Sequence, residues 1–415
     1  MGLPRHSPYL RLLRARRRLR SGIVQLLGAG AGAVAGLVLP LSGVGPSVDG
    51  RGLVEPLVTL GIGVVGVVSV VYSLLFGVIQ WSAGAFSPRL GLFRDDPMVW
   101  RTFAFAIGVF VFCTVAAVTG ADRHRVSVLV PCGAILGVLA CVWLIRRVQA
   151  RAFESIQLSS VLEEITTRGR RVIDHRYPPR GSASGRHVAP PEPSPSQRAV
   201  TWTGRAGVVQ QLDLHRLVLA AARADAVVSY HVAVGETVHE GTTLATVHGG
   251  TLPDSVVRGA VVRGTERSFD QDPMFAFRLL ADIALKSLSP AVNDPASAVE
   301  AIDATDGLLR RLVTRDLGVA DVLDDDGEVR VRLVVPTWED YVGTGVGDLL
   351  PAAAASPMVL RRIRHVLGHL LRSAPAPDRA ALARLADVVG ALLATPSAPV
   401  GPPGRPPGEA STPEP

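Results

Sequence analysis

The chain is poor in cysteine, lysine and aromatic side chains. Cys113, Cys132 and Cys141 are the only thiols among 415 residues, and all three fall inside apolar stretches. Neither an extracellular disulfide framework nor a thiolate metal cluster can be drawn from them. Aromatic residues make up 5% of the chain and are not interleaved with the basic ones. Nucleic acid is therefore not an expected partner, despite a pI near 10.0. Lys286 is the single lysine among 43 basic residues, an arginine bias that suits a GC-rich bacterial genome. Complete catalytic signatures are missing as well. His365 and His369 stand four apart, but Val366 occupies the place where a zinc protease needs Glu. Asp324, Asp325 and Asp326 lack the further ligands of a calcium loop, and no Ser, His and Asp set follows a local motif. These absences weigh against an enzyme and imply no metal and no cofactor.

Long apolar runs are abundant. Residues 22–44, 56–81, 99–120 and 126–145 each approach the ~20 residues that a helix needs to cross the hydrocarbon core, and their interiors carry no charge. The first run has no convincing cleavage site and three more follow it, so it reads as a span rather than a signal peptide. Gly28, Gly32 and Gly36 recur at every fourth position, and Gly61 and Gly66 nearly so, a spacing that suits close helix contact in lipid. Arginines set the orientation. Arg5, Arg11, Arg14, Arg16, Arg17, Arg18 and Arg20 precede the first span, and Arg146, Arg147 and Arg151 follow the fourth. The loop 42–55 holds only Arg51. By the positive-inside rule both termini are cytoplasmic in a bacterial plasma membrane, with Arg123 and Arg125 of the short outer turn opposing that trend.

The expected organisation is a basic cytoplasmic tail (1–21), a four-span transmembrane region (22–147), a connecting helix (148–177) and a proline-rich linker (178–199). A hammerhead-like β-barrel subdomain (200–265), a mainly helical cytoplasmic subdomain (266–395) and a disordered Pro- and Gly-rich tail (396–415) follow. The run from Val234 to Val247 alternates turns at Gly235 and Gly241 with short apolar strands. It is similar to the hammerhead barrel of biotinyl and lipoyl carriers but lacks their modifiable lysine. The fold class expected is thus an α+β membrane protein: four transmembrane helices plus a cytoplasmic domain that joins a small hammerhead-like β-barrel to a helical bundle.

Residues 267–303 hold the candidate site. Asp270 and Asp272 precede Pro273 and open a helix over 274–288. Arg278, Asp282 and Lys286 follow at helical spacing as a ladder of alternating sign. Asn293 and Asp294 then introduce the next helix, with Asp294 as N-cap and Pro295 at its first position. These seven residues are the ligand-binding candidates, for an anion at the helix N-termini or for a cation among the acids. Plain capping and a solvated salt-bridge stripe explain the same pattern. Phe86, Ser87, Pro88 and Arg89 form a turn beneath the second span, expected to anchor at the interface or to dock on the soluble half.

Four segments carry a family resemblance: Phe86-Ser87-Pro88-Arg89, Ile156-Gln157, Gly207-Val208-Val209-Gln210, and above all Asp282-Ile283-Ala284 through Leu288-Ser289-Pro290-Ala291-Val292-Asn293-Asp294-Pro295. On these the chain resembles a family of uncharacterised bacterial predicted membrane proteins, known as a domain of unknown function. The resemblance implies a multi-pass plasma-membrane protein with a cytoplasmic domain and no assigned activity, substrate or cofactor. The expected function is a membrane-anchored module that senses a ligand or recruits a protein. An oligomeric channel or transporter is the alternative, disfavoured by spans without ionisable groups in their interiors, and a membrane-bound enzyme comes third. Beyond the bilayer, a second copy of the chain, a cytoplasmic protein and a small anionic ligand stand as candidate partners.

Overall fold

In this computed structural model, residues 9–42, 45–85, 97–181, 197–318 and 320–394 are described. The Phe86–Arg89 turn, most of the linker and the C-terminal tail lie outside the described residues.

The four apolar runs lie within long helices, α1 (Tyr9–Val38), α2 (Gly50–Ala85, with Pro56 inside it), α3 (Pro97–Gly120) and α4 (Leu129–Ile156). Their membrane-competent stretches are Gly22–Leu41, Gly50–Gly77, Met98–Gly120 and Leu129–Arg151. The helix α3 is the hub, packed against each of the other three. Glycine explains the tightest of these contacts. A Cβ on Gly32 would stand 2.1 Å from the carbonyl oxygen of Gly108, and one on Gly28 2.6 Å from that of Ala104. The four-residue glycine repeat is therefore the α1–α3 contact surface, where backbones approach because no side chain intervenes. Gly61 likewise faces Cys113 and Phe110, whereas Gly66 faces open space. Outward-facing side chains on the helices stay apolar, as at Leu26 (75% exposed) and Val118 (72%), a surface that is favourable only in a hydrocarbon surround.

Two three-residue strands, β1 (Ser47–Asp49) and β2 (Arg125–Ser127), pair antiparallel with Val48 opposite Val126. They tie the α1–α2 and α3–α4 connections together on one side of the helices. The ends of α2 and α4 lie on the other. Where one connecting helix is expected over 148–177, the chain breaks at Gln157, whose backbone is extended (φ −72, ψ 129). A new helix, α5 (Leu158–Arg176), starts there and leaves the spans for the soluble half.

In that half β3 (Gln197–Thr201), β4 (Gly207–Leu212), α6 (Leu214–Arg223), β5 (Ala226–Tyr230), β6 (Thr237–Val238), β7 (Thr243–Gly249), α7 (Asp254–Ala260) and β8 (Val261–Gly264) come first. Then follow α8 (Met274–Ser287), α9 (Pro295–Val313), β9 (Asp321–Leu323), β10 (Val329–Arg332), α10 (Trp338–Gly345), α11 (Leu350–Ala353), α12 (Pro357–Ser373) and α13 (Ala376–Ala394).

The expected hammerhead-like barrel does not form. Gly235 and Gly241 do make left-handed turns (φ +97 and +86), but the strands that they frame part company. The two-residue β6 pairs with β4 in an open sheet ordered β6-β4-β8, while β7 pairs with β3 and β5 in a second sheet ordered β3-β7-β5-β10-β9. Among the described residues no ladder joins the sheets, so each keeps two edges, and closure requires a continuous ladder. The local turn grammar could not reveal that β10, about a hundred residues after β5, adds to it in parallel. The two sheets with α6 and α7 share one apolar core, which includes Val209, Val228, Leu244 and Val331. A second core joins α5 to α8–α13. At its centre α8 is buried almost all round, including Phe275, Phe277, Leu280 and Ala284.

Candidate functional site

The seven candidate residues do not converge on one point. Helix α8 has 14 residues, so at ~1.5 Å per residue its two ends lie about 20 Å apart. Asp270 and Asp272 stand at its head, Arg278, Asp282 and Lys286 along its side, and Asn293 and Asp294 beyond its foot.

At the foot, polar groups are engaged within the turn itself. Asn293 takes a left-handed conformation (φ 47) and its N–H donates to the Ser289 carbonyl at 2.8 Å, while the Asp294 N–H donates to Ser287 at 2.8 Å. The Asp294 carboxylate accepts the Ser297 N–H at 3.1 Å and its hydroxyl at 2.5 Å. These Ser297 bonds hold the Asp294 carboxyl below the usual carboxylate range. Asp294 thus caps α9, as its position before Pro295 predicts. Along the side, Arg278 pairs with Asp282 at 3.1 Å and with Asp348 at 3.4 Å, a partly exposed stripe.

The head of α8 is different. Asp272 is 2% exposed and takes a two-pronged bond from Arg267, at 2.7 and 3.0 Å, while also accepting the Phe275 N–H at 3.1 Å. Burial pushes the Asp272 carboxyl up, and the Arg267 guanidinium opposes that rise. Beside it Ser268 donates to Asp270 at 2.9 Å. Gln271 exchanges two hydrogen bonds with the Leu212 backbone, at 3.0 and 3.1 Å, which fastens the helix head to β4. Gly235, in the turn before β6, must be glycine on two counts. Its φ is +97, and a Cβ there would sit 2.5 Å from an Asp272 carboxylate oxygen.

Against this head lies the end of α5. Tyr177 and Tyr341 are 1% and 0% exposed, and their hydroxyls meet at 2.9 Å. Phe277 of α8 packs on the Tyr341 ring at 5.0 Å between centroids. Burial pushes both phenols up, Tyr341 most. The neighbouring Arg176 is drawn below the usual arginine value by burial. A cavity of about 20 Å³ separates the end of α5 from Val234, the head of α8 and the strand-to-helix segment 334–336, with Arg176, Tyr177, Gln271 and Asp272 on its wall. One water-sized guest fits such a volume; a metabolite does not.

Helix α5 is also tied to α9. The Asp174 carboxylate accepts Arg311 at 2.6 and 2.9 Å and Arg315 at 2.6 Å, and the Arg311 bond chiefly keeps its carboxyl below the usual range. Arg315, itself buried, also donates to the Tyr177 carbonyl at 3.3 Å. Elsewhere His369 meets Arg310 at 2.9 Å, and among the described residues no three His, Cys, Asp or Glu side chains gather as a metal group.

Sequence reasoning reached Asp270 and Asp272 but not Arg267, Arg176, Tyr177 and Tyr341, which come from segments up to 164 positions apart. Gly235 was visible as a turn residue, though nothing local said what it touches.

The family described as "Predicted membrane protein (DUF2254)" matches residues 23–369, from the first span into α12. The chain belongs to this family. Membership therefore covers the spans, both sheets and the α8 head together, and describes a multi-pass membrane protein. Similar proteins include an uncharacterized protein of Mycobacterium bovis and another of Mycobacterium tuberculosis strain H37Rv. Each is 25% identical over 378 residues, covering 85% of this chain and 71% of the relative. No solved structure matches.

Proposed function

We propose that this family member is a membrane-anchored module whose soluble half lies in the cytoplasm and works by binding a ligand or a protein, not by passing a solute through its spans. One observation carries the reading: the last span runs through a single extended residue into α5, and α5 is built into the soluble core. Val161, Leu162, Ile165 and Ile173 are buried there, and Asp174 is clamped by two arginines of α9 and its end. A rearrangement at the head of α8 thereby reaches the spans through packed side chains, a coupling that a loosely tethered domain lacks. The arginines before Gly22 and at Arg146, Arg147 and Arg151 favour a cytoplasmic soluble half, since the loops on the β1–β2 side carry fewer.

Among the seven candidates, Asp272 lines a small cavity and is the ligand end of this reading. Asn293 and Asp294 serve as a connector. Interaction with a partner protein fits the same architecture, with the partly exposed Arg278–Asp282 stripe as its polar contact.

Sidedness is tested by replacing Cys113, Cys132 and Cys141 with alanine, introducing Arg384→Cys on α13, and treating intact cells with a membrane-impermeant maleimide. Labelling only after lysis is expected; labelling of intact cells overturns the cytoplasmic assignment. Thermal stabilisation of the full chain in detergent by metals, anions, nucleotides or metabolites then tests binding. A solute flux in proteoliposomes with no stabilising ligand would replace this reading by the channel.

A further inference from the structure

The outer face of α4 changes character along a single line. Leu136, Leu139 and Trp143 are exposed there, and Arg146 and Ala150 continue the line at steps of three and four residues, all of them exposed. Cys141, Ile145 and Val148 are the buried side of the same turns, so this line looks into the surrounding medium and not at α2 or α3. At its end lies an open-sided hollow of about 380 Å³, walled by Trp143, Arg146, Arg147, Gln149 and Ala150. These residues form the last turns of the membrane-competent stretch Leu129–Arg151, which is the level of the lipid head groups. The Arg147 guanidinium stacks over the Trp143 ring, 4.9 Å from its centroid. Among the described residues neither Arg146 nor Arg147 pairs with an acid. In the soluble half, by contrast, Arg267 pairs with Asp272, Arg310 with Asp306 and Arg330 with Asp324. Two cations therefore stand side by side at the membrane surface without a counter-charge from a described side chain.

We propose that this hollow seats one anionic phospholipid, its phosphate held by Arg146 and Arg147 and its acyl chains laid along Trp143, Leu139 and Leu136. Guanidinium groups bind phosphate oxygens through paired, charge-assisted hydrogen bonds, and a tryptophan at this depth spans the boundary between head group and hydrocarbon. Charge selects the lipid. A phosphatidylglycerol-type head brings a net negative charge to two unpaired cations, whereas a choline head adds a third cation, and the Trp143 face that could receive it is already covered by Arg147. A soluble phosphate would meet the arginines but leave the apolar line that leads into the hollow unused. A second copy of the chain docking symmetrically on this face would set like charges against each other. Ala150 lies about two turns before the break at Gln157, so the seated lipid grips α4 close to where it hands over to α5. The inference goes beyond the module reading and does not depend on a ligand at Asp272.

The test is native mass spectrometry of the full chain in detergent, titrated with phosphatidylglycerol or phosphatidylcholine. A one-lipid adduct with phosphatidylglycerol is expected, with phosphatidylcholine retained markedly less. Replacing Arg146→Gln and Arg147→Gln together should weaken that adduct about tenfold or more. The pair Arg361→Gln and Arg364→Gln, which removes the same charge from the exposed face of α12, should leave it unchanged. Equal retention of the two lipids, or equal weakening by the two double variants, would mark unspecific attraction and overturn the seat. Displacement of the adduct by excess inorganic phosphate would make the hollow a site for a soluble anion and overturn it as well. Should the Arg146 and Arg147 variant fail to insert, phosphatidylglycerol carrying a photoreactive group near its glycerol decides on the wild-type chain. Label mapped to residues 136–150 supports the proposal, and label confined to other segments overturns it.

Discussion

Asp272 and Asp294, both short carboxylates ahead of a helix, illustrate how little a residue's type says about its work. Asp294 is partly exposed and caps α9 through Ser297. Its removal by Asp294→Ala is expected to cost about 1 kcal/mol, readable by chemical denaturation. Asp272 is buried and pinned by Arg267. Truncating either partner strands the other, and because Arg267 retains some solvent contact, a loss of about 3 kcal/mol is expected for Asp272→Ala. The double variant with Arg267→Ala should lose much less than the two single losses combined; additive losses would refute a coupled pair. Their pH responses have opposite signs. The folded chain holds the Asp294 proton less tightly than the unfolded one, so its stabilisation is present above the unfolded carboxylate value and fades as pH falls through the lowered folded value. Asp272 is raised, so its contribution is full below the unfolded value and is lost as pH rises through the folded value. Asp294→Asn, which keeps the cap, should therefore lose less stability than wild type on acidification to about pH 3. An unchanged acid slope would remove Asp294 from that role.

Among the elements, those with a strong period were legible and those with a tertiary cause were not. The start of α9 follows from Asp294 as its cap and Pro295 at its first position. The glycines of α1 announced a packing face, which the Gly32–Gly108 approach supplies. Gly32→Val should force α1 off α3 and destabilise the chain by about 1–3 kcal/mol, whereas Gly30→Val, which faces open space, should be tolerated. Equal melting temperatures for the two variants in detergent would contradict this packing. The break at Gln157 escaped notice because apolar residues on both sides keep a helical period. Only the change of surroundings, from span to soluble core, turns the chain there.

Taken whole, the molecule is a helical membrane half and a two-core soluble half, with α5 as the mechanical link. If α5 belongs to the helical core, its amides from 161 to 173 should exchange with deuterium as slowly as those of α8 and α9. Exchange at the rate of a free linker would separate the halves and undercut the coupling on which the proposed function rests. The prediction belongs to this scale because no single contact secures α5. Its apolar face and the Asp174 clamp act together.

By itself the sequence determined the four apolar spans, the starts of α8 and α9 and the candidate acids, because hydropathy and capping are written in neighbouring residues. Tertiary structure alone decided that the turns at Gly235 and Gly241 lead into two open sheets and not a barrel, since strand partners are chosen across a hundred residues. It also decided that Asp272 is buried against Gly235 and Arg267 and that Tyr177 meets Tyr341 beside Arg176. Burial and proximity of this kind depend on how distant segments pack, and no local pattern encodes them.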